Sequence, residues 1–282
     1  IFIDMSFWPG ICVCDCCREK YRERSGASIP EVLDWASPVW LDFQNAREVW
    51  IADFAKDLTA HVKSIKPQML VTHQFSPVLL GWYLGMSKAF LDAVDYPSGD
   101  FYGGRDQHRL GAKIFESFTL QEPFEFMTSR CINLYDHTST KSDEEMFASA
   151  ASTLAHGGVS FFIDAINPNG TLQESFYGRL GKVSAKLKPF KDKIAQAKPL
   201  LMGDVGLYFS MSSNVSLEIN GQTLTEIVSK TSISNMDTVI KSCAMNQVLG
   251  TSVLLNRMHQ PYRIVTDRTQ NLSQFKTIII NE

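Results

Sequence analysis

The sequence predicts an α/β protein in which repeated βα units surround a parallel sheet. Short apolar runs rich in β-branched and aromatic residues alternate along the chain with longer segments of helical periodicity. The apolar runs end on polar residues, as strands do where a parallel sheet presents its chemistry. With 282 residues, 44% of them hydrophobic, the chain has enough apolar mass for a large core.

Strands are expected at residues 1–4, 69–73, 93–98, 124–128 and 159–163. Between the first two lies the clearest helix, over 38–65, where Trp40, Phe43, Val49, Trp50, Phe54, Leu58 and Val62 follow helical spacing. Further helical patterns occupy about 78–90, 107–118, 143–154 and 173–187. Ser142 is a suitable N-cap for the helix that opens at Asp143, and the acidic residues that follow suit the positive end of its dipole. A second region begins near Lys188 with the Lys- and Pro-rich connection LKPFKDKIAQAKPL. Beyond it, DVGLYFS (204–210), QPYRIVTD (260–267) and FKTIII (275–280) read as strands flanking a helix at about 236–249, an open three-layer α/β domain cut short.

Composition excludes several classes. The formal charge is −3, and 27 Lys and Arg are scattered among 30 Asp and Glu, so no basic patch for nucleic acid is expected. No apolar run reaches the roughly 18 residues of a membrane-spanning helix, so no membrane partner is expected. Neither a GxGxxG nor a Walker-type phosphate loop occurs, and no organic cofactor is expected. The N-terminus lacks the basic and apolar regions of a signal peptide, which gives a cytoplasmic expectation. It also lacks a starting Met and opens inside a strand pattern, while FKTIIINE stops without a covering helix. The expectation is a fragment of a longer protein.

Cysteine usage is uneven. Cys12, Cys14, Cys16 and Cys17 fall within six residues, while Cys131 and Cys243 stand alone, which is not a disulfide framework. CxCxxC (Cys12, Cys14, Cys17) offers three soft ligands of the kind zinc prefers; Cys16 or a residue upstream would complete a closed structural site. The plain alternative is reduced thiols with no metal.

If the first region belongs to a (β/α)8 barrel, chemistry lies at the C-terminal strand ends. Polar residues stand at each of them: Asp4, His73 with Gln74, Asp100 with Tyr102, Glu125 through Arg130, and Asp164 with Asn167. Each also has a structural reading. Asp4 could cap a loop, Asp100 could form an Asx-turn, and His73 could be a satisfied core residue. Asp164 could cap the NPNG turn, and His156 before two glycines reads as a helix end. Trp8, Phe75, Trp82, Phe101 and Tyr102 could stack on a sugar face, although Trp82 lies in a helical pattern and reads as core. Arg130 could hold a carboxylate or a hydroxyl pair, or pair with Asp136. His137 and Thr138 belong to a polar loop.

These segments together resemble a family. IFIDMSFWPGICVCDCC, the following REKYRERSGASIP, HQFSP, GDFYGG, FEFMTSR, LAHGG and FFIDAINPNG resemble uncharacterised glycosyl hydrolases of the α-L-fucosidase type and are similar to family 42 β-galactosidases. The resemblance covers almost the whole chain. It implies a (β/α)8 (TIM-barrel) glycosidase domain over 1–190, holding strands four to eight and lacking the first three. It also implies that 198–282 is a partial flavodoxin-like α/β domain similar to the β-galactosidase trimerisation domain, hence a homo-oligomer. CxCxxC after the fourth strand resembles the zinc knot of those enzymes.

Departures from the family redirect the catalytic assignment. Family 42 enzymes carry a Glu after the fourth strand and a Glu ending the seventh. Here the fourth ends on Asp4, and Thr128 stands about where the second Glu belongs, with Glu125 on the opposite face by strand alternation. Fucosidases and α-galactosidase-like barrels resemble this chain in placing an Asp nucleophile after the fourth strand; the α-galactosidase-like group has its acid/base Asp at the sixth.

Asp4 is therefore expected as nucleophile and Asp100 as acid/base, with Asp95 second for that role, and with Trp8, His73, Gln74, Tyr102, Glu125, Arg130 and Asp164 as substrate binders. The expected reaction is hydrolysis of a terminal fucoside or galactoside from an oligosaccharide. Retention is favoured, which needs carboxylates about 5–5.5 Å apart against about 6.5–9.5 Å for inversion. Two alternatives stay open: a non-catalytic carbohydrate-binding or assembly protein on a degenerate barrel, motivated by Thr128, and a zinc-dependent hydrolase at the cysteine cluster.

Overall fold

The structure is a computed structural model and describes residues 1–119, 123–132, 138–197, 201–230 and 243–281. In chain order its elements are β1 (Phe2–Ile3), α1 (Asp15–Ser25), α2 (Pro38–Ile65), β2 (Thr72–His73), β3 (Ser98–Asp100), α3 (Arg105–Thr119), β4 (Glu125–Ser129) and α4 (Asp143–Ala155). There follow β5 (Val159–Ile163), α5 (Glu174–Ala197), β6 (Val205–Tyr208), α6 (Leu224–Lys230), α7 (Cys243–Arg257), β7 (Tyr262–Val265) and β8 (Thr277–Ile279). All strand pairs in these sheets are parallel, in the orders β1-β2, β3-β4-β5 and β7-β6-β8. No helix among the described residues is long and apolar enough to cross a membrane.

The chain forms two compact units, and the division does not follow chain order: one holds Ile1–Asp95 with Ser210–Gln247, the other Tyr96–Phe209 with Val248–Glu282. In the first unit, α2 has the bounds its apolar spacing predicts. Ser37 precedes Pro38, whose fixed φ suits the first helical turn. The helix stops at Lys66, which Pro67 forces out of the α region, with φ −136° and ψ 85°. Its inner face buries Trp40, Phe43, Ala46, Arg47 and Trp50. Residues 210–224 clasp the loop before α2 through Leu33 N–H to Gln222 O (3.0 Å), Gly221 N–H to Leu33 O (2.8 Å) and the Trp35 indole to Ser216 O (3.1 Å).

Arg47 ties this unit together. Its side chain is buried on the apolar stripe of α2 and donates to Gln44 Oε1 (2.8 Å), Gly10 O (3.0 Å) and Tyr83 O. Its own backbone carbonyl accepts from the Trp8 indole at 2.8 Å. Burial pulls its pKa down to about 10, so the guanidinium stays charged at neutral pH. One residue thus holds both the loop after β1 and the turns after β2 against α2.

The helix expected over 78–90 is not formed. Three 3₁₀ turns replace it (Ser76–Leu79, Trp82–Leu84 and Lys88–Ala93), broken by an extended Gly81 and a left-handed Gly85 with φ 70°. Helical spacing was misleading here because apolar residues on every side of these turns are buried. Gly85 also lies against the Trp8 ring: a Cβ there would stand 2.5 Å from Trp8 Cδ1.

In the second unit, α3, α4 and α5 pack with β3, β4 and β5. Met146, Phe176 and Val183 form a buried cluster with Phe162 against it. The capping box expected at Ser142 is present: its hydroxyl accepts from Glu145 N–H (3.2 Å) and Glu145 Oε2 from Ser142 N–H (3.0 Å). The strand expected over 93–98 begins instead at Ser98, because Pro97 has no N–H for a ladder. The expected connection over 187–200 is helical as far as Ala197, since α5 runs through Pro189, aided by a Lys188–Asp192 pair four residues apart. β6, β7 and β8 lie within the segments read as strands, whereas the helix expected at about 236–249 is α7, which runs on to Arg257; 236–242 lie outside the described residues.

Removing Arg47 leaves the carbonyls of Gly10 and Tyr83 without their donor. Arg47→Ala is expected to cost about 3 kcal/mol, from about 1–3 kcal/mol for each orphaned buried group. Urea unfolding checks this, and a loss under about 1 kcal/mol would contradict the role given to Arg47.

His108, buried, and His156, half-buried, give the fold an acid limit. His108 on α3 lies against the Phe126 ring with both ring nitrogens unpartnered, and burial, then the Lys141 charge, pushes it down to about 4. His156 ends α4 with Nδ1 2.7 Å from Ser152 O and is also pushed to about 4, mainly by burial. Both fold neutral, so their stabilising effect is complete above the unfolded pKa near 6.5 and is lost as pH falls through 4. Urea midpoints are expected to drop steadily from pH 6.5 to 4, with His108→Leu reducing the slope; for His108 the span is about 3 kcal/mol. A wild-type slope matched by the Leu variant would refute this account.

Candidate active site

In the first unit, the parallel pairing Phe2↔Thr72 and Ile3↔His73 sets Asp4 and Gln74 just past the C-terminal ends of β1 and β2. Asp4 is exposed, and its Oδ1 accepts from Met5 N–H at 2.8 Å. Met5 itself takes a left-handed φ of 56°, an uncommon conformation for a non-glycine residue. Gln74 is buried and its N–H bonds Ile3 O at 3.1 Å.

His73 is fully buried, with Nε2 2.9 Å from Thr59 Oγ1 and Nδ1 3.2 Å from Ser6 Oγ. Thr59 donates its hydroxyl proton to Ala93 O at 2.7 Å. Burial lowers the His73 pKa. Both nitrogens are thus engaged within the unit, and the residue joins β2 to α2 and to the loop after β1. Trp8 is half-buried, its indole N–H on Arg47 O and its ring 5.8 Å from the Arg47 guanidinium. Trp82 is core, edge-on to Trp35, Trp40 and Tyr83, and Phe75 is buried against Phe90.

Asp95 precedes β3 and belongs to the first unit. Burial raises its pKa, but Lys63 Nζ at 2.7 Å and the Val71 N–H at 2.7 Å outweigh this and hold it below the usual carboxylate range. A group held ionised in this way is poorly suited to donate a proton.

In the second unit, the register Ser98↔Glu125, Asp100↔Met127 and Ser129↔Ile163 orders the candidates along the sheet. Asp100, Arg130 and Asp164 stand at the C-terminal ends of β3, β4 and β5. Glu125 opens β4 and lies at the opposite end, where the Tyr96 hydroxyl is 3.4 Å from its Oε2 and burial raises its pKa. Asp100 accepts from the Tyr102 hydroxyl, and Phe101 between them stacks on Phe126.

Arg130 and Asp164 satisfy one another. Arg130 Nε donates to Asp164 Oδ1, and Nη1 donates to Thr140 Oγ1 and Gln173 Oε1, each at 2.9 Å. The guanidinium also faces the Phe176 ring at 5.4 Å. Asp164 Oδ1 accepts further from Ala165 N–H, whereas Oδ2 is buried without a donor. The Asp164 carboxylate raises the pKa of the neighbouring Tyr177. Asp136 and His137 lie outside the described residues, and Thr138 is exposed.

Thr128 does not face a cleft. It shares its strand face with Phe126, whose ring packs on Phe115 and His108 of α3, and its hydroxyl accepts from the buried Lys141 ammonium at 2.9 Å. The opposite face of β4 carries Glu125, Met127 and Ser129.

The cysteine cluster is a compact donor set. The sulfurs of Cys12, Cys14 and Cys17 all lie within 4.8 Å of one another, close to the roughly 3.8 Å between thiolates of a tetrahedral site with bonds of about 2.3 Å. Cys14 is the N-cap of α1. The Cys17 N–H, then the thiols of Cys12 and Cys17, lower its pKa, while burial and the two neighbouring thiols push Cys17 up to about 12. Three crowded soft donors suit a thiophilic divalent ion. Cys16 is exposed and outside this group.

Several supporting residues escaped the sequence reading. Arg47 offered a signal, since it stands four residues after Phe43 and three before Trp50 on the apolar stripe of α2. Thr59, Ser6 and Lys63 offered none, because each acts across elements distant in sequence.

No protein-family model matches the chain. No curated protein matches it either. Among solved structures, it is similar to α-L-fucosidase isoenzyme 2 of Paenibacillus thiaminolyticus, with a TM-score of 0.67 and 17% identity over 100% of this chain and 37% of that one. It is similar to a β-galactosidase of the psychrophilic Marinomonas ef1, with a TM-score of 0.61 and 12% identity over 85% of this chain and 40% of that one. For a GH42 β-galactosidase of G. stearothermophilus the TM-score is 0.67, with 13% identity over 95% of this chain and 46% of that one. The chain thus spans less than half the length of these structures, and at such identities the likeness concerns the fold, which is glycosyl hydrolase-like.

Proposed function

We propose that this chain is part of a glycoside hydrolase that removes a terminal sugar of fucoside or galactoside type from an oligosaccharide by a retaining, two-carboxylate route. The supporting observation is the row of polar residues at C-terminal ends of parallel strands in a fold shared with an α-L-fucosidase and β-galactosidases. In this reading β1 to β5 are strands four to eight of a (β/α)8 barrel over 1–190. Residues 198–282 are a partial flavodoxin-like domain resembling the β-galactosidase trimerisation domain, with homo-oligomerisation and a cytoplasmic location as further parts of the proposal.

Asp4 acts as nucleophile, being an exposed carboxylate with one oxygen oriented by Met5 N–H. Asp100 acts as acid/base, and Tyr102 supplies a proton donor beside it. Asp95 is set aside for that role because Lys63 keeps it ionised. Trp8 and Gln74 are placed to meet substrate near Asp4. His73 orients the loop after β1, and Arg130 with Asp164 shapes the end of β5. Glu125 is not assigned to substrate. The alternative, a non-catalytic carbohydrate-binding or assembly protein on a degenerate barrel, keeps its motive, because neither Thr128 nor Ser129 at the end of β4 is a carboxylate.

Asp4→Asn and Asp100→Asn are each expected to lower turnover of an aryl fucoside or galactoside by about 10²–10⁴-fold or more while leaving the melting temperature unchanged. Unaltered turnover in either variant removes that residue from the mechanism.

Cys12, Cys14 and Cys17 would hold a structural zinc ion with a fourth ligand, bracing the loop after β1 and taking no part in bond cleavage. The reduced protein is expected to bind about one zinc per chain and to melt at a higher temperature with it. Cys14→Ser should abolish both effects; equal zinc content in the variant would exclude the site.

A further inference from the structure

The turn from β5 to α5 builds a solvent-facing groove of about 500 Å³ lined by Thr171, Leu172, Glu174 and Tyr177. Its rim is fixed by its own hydrogen bonds. Asn167 N–H donates to Thr171 O (2.9 Å), Gly170 N–H to Asn167 O (2.8 Å) at a left-handed φ of 80°, and the Thr171 hydroxyl to Asn169 Oδ1 (2.7 Å). After this turn the side chains sort to two sides. Phe176 turns into the buried cluster and Gln173, itself exposed, reaches Arg130, whereas Leu172 and Tyr177 remain 48% and 41% exposed.

Asp164 lies beside the groove. Its side chain is only 9% exposed, Oδ1 is taken by Arg130 and Ala165 N–H, and Oδ2 has no donor. The Tyr177 hydroxyl stands by this carboxylate without meeting the geometry of a hydrogen bond to Oδ2. A buried carboxylate oxygen without a donor is costly, and the Arg130 charge compensates its ionisation without filling that lone pair.

The lining defines a ligand class. An aromatic face and a leucine suit the apolar C–H face of a sugar ring, and the tyrosine hydroxyl with the Glu174 carboxylate suits its O–H groups. No lining residue is cationic, so the groove disfavours anions. We infer that the groove is an accessory carbohydrate site that binds a neutral sugar unit against Tyr177, with ligand hydroxyls directed to Glu174. The inference rests on the hydrolase reading for its role, which is to hold a sugar beyond the one whose bond is broken.

Lactose and 2′-fucosyllactose are suitable neutral probes and 3′-sialyllactose the anionic one, with binding read by saturation-transfer NMR and titration calorimetry. Tyr177→Ala is expected to weaken binding of at least one neutral probe by about fivefold or more, and Tyr177→Phe, which keeps the ring, by no more than about twofold. The sialylated probe should bind more weakly than lactose. Absence of binding by either neutral probe, or equal binding by wild type and Tyr177→Ala, overturns the site. Because binding is read without turnover, this failure is distinct from that of the hydrolase reading, which the Asp4 and Asp100 variants test separately.

Discussion

Two parallel strands cannot be joined by a tight turn. Each strand must be followed by a return long enough to carry the chain back, and the C-terminal ends of all strands in one sheet lie along the same edge. The remaining features of this molecule depend on that constraint. It makes α2 a helix of 28 residues between β1 and β2, and it places α3, α4 and α5 among β3, β4 and β5. It also collects Asp100, Arg130 and Asp164 at one edge of one sheet and Asp4 with Gln74 at the corresponding edge of another. Glu125 is excluded by the same geometry, because it opens its strand instead of closing it.

Charge compensation then separates the polar residues at those edges. A buried ion needs a partner or several hydrogen bonds. Arg130 and Asp164 have each other, and Asp95 has Lys63, which helps to hold it below the usual carboxylate range. Asp4 is exposed with a single local backbone donor, and Asp100 is met by a neutral tyrosine hydroxyl.

The loop after β1 is supported from several elements. Arg47 reaches its Gly10 carbonyl, the Arg47 carbonyl holds Trp8, and His73 meets Ser6, so the backbone between Asp4 and the cysteines is anchored at three points. The cysteine cluster follows directly, at the start of α1. The sequence placed Asp4 and these thiols side by side, and the intervening segment is held to α2 and β2 by these contacts.

Local pattern was sufficient for much of this protein. The bounds of α2 were legible because apolar spacing, Ser37-Pro38 and Lys66-Pro67 all agree, and the start of α4 was legible because a capping box lies wholly within four residues. β5 was recovered with its bounds, and the CxCxxC spacing marked the thiols that come together as the one candidate metal-ligand group among the described residues. Other features depended on contacts that no window of sequence contains. The turns over 76–93 mimic a helix in composition but are broken by Gly81 and Gly85, and Pro189 is tolerated inside α5. Which way Thr128 points, what occupies both nitrogens of His73 and what keeps Asp95 charged are set by α3, Thr59 and Lys63, each remote in sequence. Residue types and their periodicity thus determined the elements and the list of chemical candidates; only the tertiary structure decided which candidates are neutralised or turned away, because that depends on the neighbours supplied by other elements.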